Sequence, residues 1–278
     1  MTTPTNTAAP SGAGRIETTI RGAVSDGRPA IAAFLTAGFP SRDAFPDIVR
    51  AVAGVADVLE LGVPFSDPMA DGVTIQEASR TALADGVTLD WILELVAGLD
   101  LPTPVVLMSY LNPLLTRSHD ELATQATAAG VDGFIVPDLP YEESAPMRGA
   151  LDPAGLALVQ LVTPLTPPER RKRLAEASTG FLYAVTRTGT TGAGRRGDDD
   201  PEGLTAYAAG LRIVSPRPVL AGFGVRTAAQ VRRLHRRFDG VIVGSALIER
   251  LAAGEDPGEF LRRLRNSFNA SPTEPDDS

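Results

Sequence analysis

The stretch Glu60-Leu-Gly-Val-Pro-Phe-Ser-Asp-Pro-Met-Ala-Asp71 gathers three carboxylates behind the short apolar run Val58-Leu59. A buried strand that ends on Glu60 would hold that carboxylate rigidly at the edge of a sheet. The Gly-Val-Pro turn after it could fold Asp71 back toward the same pocket, giving two carboxyl groups for general acid/base work. Glu60 lies between Leu59 and Leu61, which a solvent-facing alternation does not explain. The competing structural explanation is a carboxylate paired with an arginine or hydrogen-bonded to backbone. Asp71 in Ala-Asp-Gly and Asp67 in Ser-Asp-Pro also fit turns or helix caps.

Two scarcities narrow the chemistry. The single lysine, Lys172, falls in ERRKRLAEA, the outer face of an expected helix. An imine-forming lysine needs a desolvated pocket instead. The two histidines, His119 and His235, lie in polar, helix-like segments, and there is no cysteine. Zinc and other transition metals favour histidine or cysteine ligands. Covalent-imine and metal-assisted carbon–carbon chemistry are therefore disfavoured, as are disulfides and thiol nucleophiles. Carboxylates, tyrosines and backbone dipoles are what remain.

A second constellation is made of glycines. Ala221-Gly222-Phe223-Gly224 follows one apolar run, and Gly244-Ser245-Ala246 follows the next and opens the helical pattern SALIERLAAG. Backbone N–H groups at such a helix start bind anions without help from lysine. Gly192, in the glycine-rich stretch TGTTGAGRRG, could bring backbone close to the same anion. Ordinary strand-to-helix turns would also use these glycines. Tyr183 and Phe34, each within or near the end of an apolar run, are either plain core or the walls of a flat apolar substrate.

Short β-rich runs alternate with helical patterns along the chain, the signature of a parallel α/β sheet. The expected strands are Ala30–Thr36, Val58–Leu61, Pro104–Met108, Gly133–Val136, Ala157–Leu161, Phe181–Thr186, Pro218–Gly222 and Gly240–Val243. They are almost wholly apolar, as strands covered on both faces must be. Eight such units predict a single (β/α)8 TIM barrel rather than an open doubly wound sheet. Its chemistry would sit at the C-terminal strand ends, and a phosphate site commonly forms after strands seven and eight. The segment RIETTIRGAVSDGR predicts an extra N-terminal helix capping the barrel floor. The barrel is expected over residues 15–268, with disordered tails at 1–14 and 269–278. RRLHRRF predicts a solvated basic helix face.

With 278 residues, 43% of them apolar, the chain can bury one large core. A net charge of −8 argues against nucleic acid or an anionic membrane as partner. The absence of a run of about 18 apolar residues argues against a membrane span. The start MTTPTNTAAPSGAG lacks a basic and an apolar region, so no secretory signal is expected and the cytoplasm is the expected location.

Over roughly Arg15 to Asn266 the chain resembles the tryptophan synthase alpha subunit family. The most specific match is LELGVPFSDPMADGVTIQ, Leu59 to Gln76. It is supported by FLTAGFP at Phe34–Pro40, VPDLPYEES at Val136–Ser144, TGTTG at Thr188–Gly192, GFGV at Gly222–Val225 and GVIVGSALI at Gly240–Ile248. The resemblance implies a retro-aldol lyase that cleaves indole-3-glycerol phosphate to indole and D-glyceraldehyde 3-phosphate in tryptophan biosynthesis. It implies Glu60 as the principal acid/base and Asp71 as the partner of the indole N–H. Phe34 and Tyr183 would line the pocket, and Gly192, Gly224, Gly244 and Ser245 would cradle the phosphate. Asp67 and Thr191 would belong to two loops that close over substrate and answer to a β subunit. No cofactor is expected in this chain, pyridoxal phosphate belonging to the β subunit of an α2β2 complex.

Two other functions are compatible with the same residues: a stand-alone indole-3-glycerol phosphate lyase that releases free indole, and a catalytically weak barrel acting as an allosteric partner. The chain departs from the family at Thr190, where valine is usual, and in a longer stretch after it.

Overall fold

The computed structural model describes residues 11–186, 201–222 and 224–266. Eight parallel strands close into a barrel in chain order: β1 Ala30–Thr36, β2 Val58–Gly62, β3 Val105–Met108, β4 Gly133–Ile135, β5 Ala157–Val162, β6 Leu182–Val185, β7 Val219–Gly222 and β8 Gly240–Val243. Closure comes from β8 pairing with β1, with Ala30 opposite Gly240 and Ala33 opposite Val243. The expected strands differ from these only at their ends. Pro104 stands just outside β3 because it has no N–H to give, yet its carbonyl still accepts from Leu59 at 2.8 Å.

Side chains alternate between two apolar layers, as the two-residue period of a strand requires. Ile31, Ala33, Leu35, Leu59, Leu61, Leu107 and Val241 face the surrounding helices. Ala30, Ala32, Val58, Val106, Ile135, Val159, Tyr183, Leu220 and Ile242 form the layer inside the barrel. This parity also directs Phe34, Thr36 and Glu60 inward, because they continue the even-numbered series on β1 and β2.

The barrel floor is plugged by the helix Gly12–Ser25, whose Ile16, Ile20 and Ala23 are buried against the inner layer. The helix begins three residues before the expected boundary, because the Ser11 hydroxyl caps it by accepting from Gly14 N–H. At the same end, an aspartate before a strand accepts the first N–H groups of the preceding strand. Asp57 before β2 accepts from Ile31 at 2.9 Å, Asp132 before β4 from Val105 at 2.8 Å, and Asp239 before β8 from Val219 at 2.7 Å. Thr179 plays the same part before β6, its hydroxyl accepting from Leu158 at 2.8 Å, and Ser178 accepts farther along β5 from Gln160 at 2.9 Å. Arg28 and Arg265 close on Asp57, and Arg15 on Asp132. These contacts pin the register at the floor and leave the opposite end free for loops.

Lys172 is exposed and lies 4.0 Å from Glu176, so it has no desolvated pocket. In the basic helix Ala228–His235, Val231 and Leu234 are buried while Arg232 is exposed, as a solvated face predicts. Among the described residues no helix is long and apolar enough to cross a membrane.

Candidate active site

Among the described residues Glu60 is the only acidic one within a barrel strand, and it is 0% exposed. Its inward direction follows from strand parity, and Phe34 stands beside it in register on β1. The arginine or backbone partner that would have explained it structurally is absent: neither Oε1 nor Oε2 has a hydrogen-bond partner among the described residues. Burial alone pushes its carboxyl up from 4.5 to about 8. A carboxyl kept largely protonated near neutral pH can give a proton and take one back.

Asp71 lies in the loop after β2 and lines a cleft at the C-terminal end of the barrel with Phe34, Thr36, Gly62, Met108 and Tyr110. It is not spent on capping, because the helix Val73–Ala84 starts at Gly72 without a side-chain cap. Gln76 Nε2 holds the Asp71 carbonyl at 2.9 Å. Burial raises the Asp71 carboxyl to about 6, against the lowering effect of a hydrogen bond from the Tyr110 hydroxyl. That hydroxyl also accepts the Ala70 N–H at 2.8 Å. Tyr110 is thus a part of the site that sequence reasoning missed. Its position just after the third expected strand was the available signal, since loops at that barrel end carry function. Thr36 was missed in the same way, as one hydroxyl at the end of an apolar run.

Tyr183, on the inner face of β6, is buried within the field of both carboxylates. Its phenol is raised well above the ordinary value by desolvation first and then by Glu60 and Asp71. Room for that ring comes from Gly222 on β7, where a methyl group would overlap the Tyr183 ring and hydroxyl. Gly62 does the same for Phe34, whose ring would lie 2.6 Å from a methyl there. Of these two rings, each admitted by a glycine on a neighbouring strand, Phe34 lines the cleft, while Tyr183 belongs to the inner layer of the barrel.

Beyond β8, Gly244 and Ser245 open the helix Ser245–Ala252, whose N-terminus carries no side-chain cap. Its first N–H groups have no intrahelical acceptors, which makes that end suited to an anion. Gly224 after β7 adopts φ +85°, a turn that favours glycine. Gly244 flanks the top of β1, where an added Cβ would lie 3.4 Å from Phe34 Cβ. Asp67 is not brought into the cleft. It is exposed on the loop after β2 and accepts a hydrogen bond from the Ser66 hydroxyl at 2.5 Å. Thr191 and Gly192 lie outside the described residues.

A family model described as tryptophan synthase alpha chain matches residues 21–272. The chain belongs to the tryptophan synthase alpha chain family. Among its curated relatives, the alpha chain of Desulfovibrio desulfuricans is 45% identical over 256 residues, covering 90% of this chain and 99% of the relative. That of Deinococcus radiodurans is 41% identical, covering 95% and 98%. The solved tryptophan synthase subunit alpha from Legionella pneumophila superposes with a TM-score of 0.82 at 34% identity, covering 92% of this chain and 98% of that one. A chain of M. tuberculosis tryptophan synthase, in an aminoacrylate-bound form, superposes with a TM-score of 0.80 at 32% identity, covering 91% and 97%. Membership places this barrel among the lyases of tryptophan biosynthesis.

Proposed function

We propose that the protein cleaves indole-3-glycerol phosphate to indole and D-glyceraldehyde 3-phosphate, working as the alpha subunit of a tryptophan synthase α2β2 complex. The observation that carries this reading is Glu60, a fully buried carboxyl with no partner in the described protein and a raised proton affinity. In the proposed sequence, protonated Glu60 delivers its proton to C3 of the indole ring. The positive charge then resides on the ring and its N1–H, where the Asp71 carboxylate accepts the hydrogen bond. The Glu60 carboxylate next removes the proton of the side-chain hydroxyl nearest the ring. The C3–carbon bond breaks, its electron pair neutralises the ring, and the carbon that carried the hydroxyl becomes the aldehyde. Glu60 ends protonated, so no net proton is consumed.

The protonated ring is the electron sink, which removes any need for an imine lysine or a metal in this step. Phe34 and Tyr183 wall the flat ring, while the Gly224 turn, Gly244 and Ser245 hold the phosphate through backbone N–H groups. Gly192 would add to that cradle, and Asp67 and Thr191 would close the loops in answer to the β subunit. Pyridoxal phosphate belongs to that subunit, and none is assigned to this chain. We place the protein in the cytoplasm.

The test is release of indole and of glyceraldehyde 3-phosphate from indole-3-glycerol phosphate, with and without a tryptophan synthase β subunit. Activation by the β subunit is expected. Full unaided turnover would instead indicate a stand-alone lyase, and no cleavage under either condition would leave only a binding role and defeat the proposal.

A further inference from the structure

Buried side-chain oxygens without a hydrogen-bond partner occur at only two of the described residues, Glu60 and Thr36. They are neighbours in the barrel wall. Thr36 ends β1 and pairs in register with Gly62, one pleat nearer the mouth than Phe34 and Glu60. It is 1% exposed and lines the cleft with Asp71 and Tyr110. An unpaired buried hydroxyl costs about 1–3 kcal/mol, and valine would fill the same volume without that cost. A hydroxyl kept at this position therefore points to a ligand group that satisfies it.

Strand order identifies which group. The barrel wall runs β8–β1–β2. The uncapped helix N-terminus at Ser245 follows β8, Thr36 stands at the end of β1, and Glu60 lies on β2. A phosphorylated three-carbon chain reaching from Glu60 to that helix must cross β1. In the cleavage proposed above, on which this inference rests, the hydroxyl nearest the ring engages Glu60 and the terminal phosphate engages the helix. One polar group of the chain is left, the hydroxyl on its middle carbon.

We infer that Thr36 is a specificity-determining residue whose side-chain hydroxyl hydrogen-bonds the middle hydroxyl of the substrate's glycerol chain. Thr36 thereby selects a hydroxylated three-carbon phosphate over a deoxygenated one.

The experiment compares two ligands on the full chain, with the β subunit present: indole-3-glycerol phosphate, and 3-(indol-3-yl)propyl phosphate, which keeps ring, chain length and phosphate but carries neither hydroxyl. In Thr36→Val, kcat/KM for the glycerol phosphate should fall roughly 10-fold. The Kd of the propyl phosphate should stay within about twofold of wild type, and Tm should be unchanged or higher. Thr36→Ser, which keeps the hydroxyl, should recover most of the loss. Unchanged kcat/KM in Thr36→Val would overturn the inference. So would equal weakening of both ligands, which would mean that Thr36 only shapes the cleft wall. Should wild type fail to cleave the glycerol phosphate, the underlying reaction assignment falls and takes this inference with it. Normal wild-type turnover with an indifferent Thr36→Val refutes the inference alone.

Discussion

Tyr110 donates a hydrogen bond from its hydroxyl to the Asp71 carboxylate while accepting the Ala70 N–H at 2.8 Å. One phenol at the end of β3 therefore fixes both the backbone and the charge of a loop that follows β2. Burial raises the Asp71 carboxyl and this bond lowers it, so the two effects set its value of about 6 between them.

Tyr110→Phe removes the bond and keeps the ring. The Asp71 carboxyl should then titrate above 6, and the acid limb of the kcat/KM profile should move to higher pH. At pH 6 a loss of roughly 10-fold is expected, shrinking toward higher pH. Assays of cleavage from about pH 5 to 9 check this. A uniform loss across the range would show that Tyr110 supports only the fold of the loop.

The wild-type profile itself should be bell-shaped. Asp71 must be ionised, which requires a pH above about 6, and Glu60 must begin protonated, which requires a pH below about 8. A phosphate monoester also titrates near 6, so the acid limb is assigned with Asp71→Asn. That variant should be slower and should lose the part of the limb that belongs to Asp71. An unaltered rate in Asp71→Asn removes Asp71 from the mechanism.

Glu60→Gln should lower turnover by ~10²–10⁴-fold while largely sparing binding. Its stability effect should have the opposite sign. The folded Glu60 carboxyl is raised from 4.5 to about 8, so the folded state resists its ionisation. The stability it leaves intact below pH 4.5 is lost progressively as pH rises through 8. The glutamine variant escapes that loss and should melt several degrees higher than wild type at pH 8, the gap narrowing toward pH 5. Thermal melts at the two pH values test this, and an equal difference at both would contradict the assigned burial cost.

The barrel floor should respond the other way. Asp57 accepts the Ile31 N–H and both Arg28 and Arg265, and it is nearly fully buried. Asp57→Ala leaves a buried N–H and two guanidinium groups without their acceptor. A loss of about 3–5 kcal/mol is expected, with Tm lower by roughly 6–15 °C. The specific activity of the folded fraction at 20 °C should stay near wild type, because the change lies at the end of the barrel opposite the cleft. Calorimetry alongside that assay separates the two effects.

Much of this architecture is written locally in the chain. A strand covered on both faces must be apolar throughout, so all eight strands stand out, and their ends move by only a residue or two where Pro104 or a turn intervenes. Glu60 was visible for the same reason, as a charge inside such a run. The glycines after β7 and β8 were visible because a turn into a helix start needs their backbone.

Relations across the barrel were not local. Whether Glu60 met an arginine or nothing, whether Asp71 capped a helix or faced a cleft, and whether Tyr183 was core or wall all depended on register between strands distant in sequence. Closure of β8 on β1 placed Ser245, Thr36 and Glu60 on successive staves, and parity turned Phe34, Thr36 and Glu60 to one side. Tyr110 and Thr36 carried no distinguishing local pattern, since one phenol or one hydroxyl beside an apolar run is common. Their meaning arises from burial, which makes each polar contact costly to leave unmade and so assigns every buried oxygen a partner or a purpose.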